Sequence, residues 1–60
     1  MRNVYFQYQG ILGDWVTVNT SSEPISDTEV MIGMKNVKLM KPDSRVRVID
    51  HDGRLMDMLP

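Results

Sequence analysis

The chain has no cysteine, so neither a disulfide nor a thiolate metal site can brace it. It has one histidine, His51, which excludes a His-rich metal centre. It also lacks an excess of basic residues. Seven Lys and Arg stand against eight Asp and Glu, for a net charge of −1 and a pI of about 5.6. That balance argues against coating nucleic acid through bulk charge, while leaving room for a local basic patch. No apolar run approaches the roughly 18 residues of a membrane span. The opening Met1-Arg2-Asn3-Val4 is not followed by the long apolar stretch of an export signal. The expectation is a cytoplasmic protein without membrane contact, in keeping with the missing cysteines.

Nor is there a repeat or a low-complexity tract, and 42% of the residues are hydrophobic. One domain over residues 1–60 follows. A domain this short buries only about 60% of its unfolded surface. With disulfides and metals excluded, a regular fold or self-association must supply the rest.

Asn3–Gln9 is aromatic and β-branched and reads as a strand, with Val4, Phe6 and Tyr8 on one face and Tyr5, Gln7 and Gln9 on the other. Gly10-Ile11-Leu12-Gly13 reads as a hairpin loop, whose apolar tip either inserts into a partner or folds back over the core. Residues 14–20 form a second strand. Val16 and Val18 share one face, Trp15 and Thr17 the other. Ser21 to Pro24 is a loop. Ser26-Asp27-Thr28-Glu29 then matches a capping box, and Ile25 and Val30 have the spacing of a hydrophobic staple. The helix should run over about 27–40 and stop before Pro42. Its apolar stripe is Val30, Met34 and Val37, flanked by Met31 and Met40. Gly33 within it either allows close approach of a strand or partner or is merely tolerated. Residues 45–50 alternate as a third strand, His51-Asp52-Gly53 forms a turn, and 54–59 return as a fourth.

The order β-β-α-β-β predicts an α+β fold, a four-stranded antiparallel sheet ordered 2-1-3-4 with one helix on one face. The helix should cover Val4, Phe6, Val16, Val18, Val46, Val48 and Leu55. The opposite face should carry Tyr5, Trp15, Arg45, Arg47, Ile49, Arg54, Met56 and Met58. Ile32 and Leu39, seven residues apart, should share the outer side of the helix. Apolar surface of this kind marks interaction sites.

Asp50-His51-Asp52 has chemical residue types, but neighbours in a turn rarely converge on one point, and an exposed turn is the simpler reading. The glycines at 10 and 13 lack the Lys-Ser/Thr of a phosphate loop. No catalytic, metal-binding or cofactor-binding residue is assigned, and no enzyme activity is expected. The sharpest constellation is Tyr5, Trp15, Arg45, Arg47 and Arg54; with Met56, and with Ile32 and Leu39 on the helix, these make up the candidate interaction surface. Aromatics and arginines on an open sheet can stack bases and hold phosphates, or can simply cover the sheet with their apolar parts.

The run from Pro42 to Leu55, preceded by an aromatic strand, the Trp strand Gly13 to Val18 and one helix, resembles a pattern of small bacteriophage and prophage accessory proteins. The resemblance implies a phage accessory role and transfers no functional residue. The expectation is therefore a small non-enzymatic interaction protein, as a homodimer or with a protein partner. The alternative is single-stranded nucleic-acid binding through the open sheet face. The capping box carries a direct test. Ser26→Ala should lower stability by about 1 kcal/mol in denaturant unfolding, and an unchanged midpoint would mean that Ser26 is not the cap.

Overall fold

The computed structural model describes residues 2–60. The strands are β1 (Asn3–Gln9), β2 (Trp15–Ser22), β3 (Val46–Ile49) and β4 (Leu55–Leu59), and helix α1 (Asp27–Met40) lies between β2 and β3. They form one sheet in the order β2-β1-β3-β4 with every pair antiparallel. The fold is thus the expected α+β arrangement. β2 continues two residues past the anticipated Thr20, while β3 and β4 are shorter by one residue at an end or at both.

Local chemistry explains α1. Ser26 adopts an extended conformation, and its Oγ accepts the Glu29 N–H at 3.1 Å. The Glu29 carboxylate in turn accepts from the Ser26 hydroxyl at 3.1 Å. Ile25 packs against the core one residue before the cap. At the other end, Lys41 N–H donates to Val37 O, and Pro42 then ends the helix. The Lys38 ammonium donates to the main-chain oxygens of Ser44 and Pro60, both at 2.6 Å, which ties the end of α1 to the segments flanking β3 and β4.

The core consists of Val4, Phe6, Val30, Met34, Val37, Val46 and Val48, with Tyr8, Ile25, Met31 and Leu59 packed around it. The helix packs on β1 and β3 and touches β4. Two bulges alter the anticipated burial. In the β1–β2 ladder, Phe6 faces Asn19 and Gln7 faces Thr17, so Val18 is the extra residue and stands at the surface. Beyond it, Asn19 and Ser21 occupy the helix side, opposite Phe6 and Val4. Val16 keeps its expected side, opposite Tyr8, and is half-buried. In the β3–β4 ladder, Val48 faces Asp57 but Ile49 faces Leu55, so Met56 is the extra residue. Leu55 therefore moves to the open face, 58% exposed, and Leu59 joins the core margin in its place. Strict alternation predicts neither shift, because a bulge reverses the facing of every residue beyond it.

Hydrogen-bond alternation fixes which main-chain groups point away from the sheet. Gln9 N–H donates to Arg45 O, Glu23 N–H to Arg2 O and Asp50 N–H to Arg54 O. Counting along the ladders from these pairs, Thr20 N–H and Met58 N–H face outward on the two edge strands. Each meets the side chain before it. Thr20 N–H donates to Asn19 Oδ1 at 3.0 Å and Met58 N–H to Asp57 Oδ1 at 2.8 Å.

Gly33 answers the question the sequence leaves open. A Cβ built there would lie 2.2 Å from Phe6 Cε2 and 2.6 Å from its Cζ. The Phe6 ring is enclosed by the core and has little room to retreat. Gly33→Ala should therefore destabilise the protein by roughly 1–2 kcal/mol, because overpacking outweighs the gain of about 1 kcal/mol in helix propensity. The same substitution in a Phe6→Leu background should cost less. A Gly33→Ala protein that melts at or above the wild-type temperature would refute the contact.

Candidate functional site

The face of the sheet away from α1 is built in cross-strand rows. Trp15 pairs with Gln9, and the Gln9 N–H bond to Arg45 O extends that row to Arg45. Thr17, Gln7, Arg47 and Met58 form the next, spanning all four strands. Thr20, Tyr5, Ile49 and Leu55 form the third. Among the described residues, no Asp or Glu belongs to these rows.

The middle row is held by side-chain bonds. Arg47 Nε–H donates to Gln7 Oε1 at 2.7 Å, and Gln7 Nε2 donates to Thr17 Oγ1 at 2.9 Å. Gln7 is only 8% exposed, and both ends of its amide are bonded. The Arg47 guanidinium lies over the Trp15 ring, 4.1 Å from its centroid, as a cation–π pair. Arg47 therefore loses little further freedom when it meets a ligand. The sequence places Gln7 on this face but gives no sign of its bridging role. The one available signal was an amide at the centre of an otherwise aromatic strand.

The eight candidate residues do not form one surface. Tyr5, Trp15, Arg45 and Arg47 share the open face. Met56 stands at the β4 bulge beside it. Arg54 precedes β4, where its N–H donates to Asp50 Oδ1 and its carbonyl accepts the Asp50 N–H. It takes no part in the Trp15–Arg47 stack. Ile32 and Leu39 lie on the helix side of the molecule, 55% and 81% exposed. Ile32 borders a hollow shared with Asn19, Thr20 and Ser21 of β2, and Leu39 borders another with Pro42 and Leu59. Ile11 and Leu12 project into solvent rather than folding back over the core.

The Asp50-His51-Asp52 run does not converge. His51 Nε2 lies 3.2 Å from Asp52 Oδ1, and both residues are exposed. The Asp50 carboxylate instead accepts the N–H groups of Asp52 and Arg54, both at 2.9 Å. Among the described residues, no three His, Cys, Asp or Glu side chains gather as a metal site requires. Nor, among the described residues, is any helix long and apolar enough to cross a membrane. No family model, curated protein or solved structure matches the chain.

The Asp50 bonds have a pH signature. The Arg54 N–H bond, followed by that of Asp52, holds the Asp50 carboxyl below its ordinary value of 3.8. A carboxyl depressed in the folded state stabilises the fold above its unfolded value, and that contribution is lost as pH falls through the folded one. Asp50→Asn keeps an acceptor oxygen but cannot titrate. Melting temperatures followed downward from pH 6 should thus fall more steeply for the wild type than for Asp50→Asn. Parallel curves would show that the Asp50 charge is not linked to folding.

Proposed function

We propose that this chain is a small non-enzymatic interaction protein that self-associates. The observation that carries the reading is the shallow apolar hollow at the end of α1. Leu39, Pro42 and Leu59 line it together with Lys35 and Lys38. The bonds from Lys38 to Ser44 and Pro60 fix its walls, so the apolar surface is presented on a rigid support. A second copy of the same chain suits it. The core is thin, and covering Leu39 and Leu59 would remove from water apolar surface that the monomer leaves open, at about 25 cal/mol per Å². A twofold contact brings the same patch of each copy together without needing any other complementary surface. Edge pairing across Thr20 or Met58 would have to break the bond each N–H already makes.

Three of the acids are already occupied in the structure, Asp50 in a turn, Glu29 at the helix cap and Asp57 on an edge strand, which supports a binding rather than a catalytic role. A phage accessory role, as the sequence resemblance implies, is part of the same proposal. Sedimentation at high micromolar concentration should show a dimer or larger species for the wild type and a folded monomer for Leu39→Asp. A wild-type protein that stays monomeric there would overturn self-association and leave a different protein as the partner.

A further inference from the structure

We infer that the open sheet face binds single-stranded nucleic acid, at a site separate from the proposed self-association surface. The first ground is charge segregation. The chain carries a net charge of −1, yet this face presents Arg45 and Arg47, and its cross-strand rows hold no carboxylate. Three of the acids that stand near these strands in sequence have partners of their own, while Asp43 lines a hollow at the sheet end together with Arg45. Asp57 pairs with Val48 on the helix side and bonds Met58 N–H. Asp50 closes its turn, and Asp52 contacts His51.

The second ground is preorganisation. Gln7 and Thr17 hold the Arg47 guanidinium over the Trp15 ring, which joins a flat cation to a flat π surface. Stacked arginine and aromatic planes accept bases of any sequence, and guanidinium groups hold phosphates. Tyr5 lies four residues along β1 from the row of Trp15, about 13 Å away at strand spacing. An extended strand of a few nucleotides can span that distance, passing Arg47 on the way. An acidic protein would satisfy the same arginines, but it makes no comparable use of the stacked rings.

Two phosphate contacts imply a shallow salt dependence. With a slope of about −1.4 for a single strand, affinity should fall roughly fivefold between about 50 mM and about 150 mM salt. Trp15 is the only tryptophan, so its fluorescence reports on this face. The test titrates the protein with an oligothymidylate and, separately, with a polyglutamate peptide of matched charge. The oligothymidylate should quench Trp15 with that salt dependence, and polyglutamate should not. Arg45→Gln, an exposed substitution that leaves the Trp15–Arg47 stack intact, should weaken binding several-fold. Arg47→Gln should weaken it further, with folding checked by circular dichroism. Leu39→Asp should bind the oligothymidylate even as a monomer, which separates this site from self-association. Absence of quenching at the lower salt would overturn the inference. An equal response to polyglutamate would overturn it as well and reassign the face to acidic proteins. Undiminished binding by Arg45→Gln and Arg47→Gln together would remove the arginines from any role.

Discussion

The fold depends on one close contact, the Phe6 ring against the backbone of α1 at Gly33. A single helix must cover a four-stranded sheet, and it does so by lying close over the two central strands. Gly33 removes the side chain that would hold α1 away from β1. Phe6 fills the space, and Val4, Val46 and Val48 meet Val30, Met34 and Val37 around it. The outer strands are consequently left with thin cover. β2 shows Asn19 and Ser21 on the helix side, and β4 shows Asp57.

The features that were legible in the sequence are the local ones. The capping box, the staple and Pro42 act within a few residues, and they place α1 at the bounds read from the sequence. The order of the strands follows from connectivity. The bulges at Val18 and Met56 were not legible, because an extra residue leaves the apolar pattern looking regular while reversing what lies beyond it. Val18 and Leu55 are exposed for that reason. At the candidate site, the alternation of β1, β3 and the start of β2 brought Tyr5, Trp15, Arg45 and Arg47 to one face. The Gln7 bridge joins residues ten and forty positions apart, and no local pattern encodes it.

The molecule separates its polar and apolar duties by side. Tyr5, Trp15, Arg45 and Arg47 lie on the open sheet face, while Leu39, the most exposed large apolar residue of α1, lies near the helix end. A cation stacked on a ring and tethered through a buried amide is costly to assemble from mobile parts. Here the strand register assembles it, since Thr17, Gln7 and Arg47 are direct neighbours in the ladder. The recognition geometry and the sheet are thus parts of one object, and a shift of register would destroy both.

The side chains of Asn19 and Asp57 each close one outward N–H group, that of Thr20 on β2 and that of Met58 on β4. A free edge can recruit another strand, which then offers an edge of its own, and growth of that kind has no natural end point. A strand that pairs across Thr20 or Met58 must first break an existing bond there. At those two points the obstacle to strand addition is set by two short side chains rather than by the stability of the core.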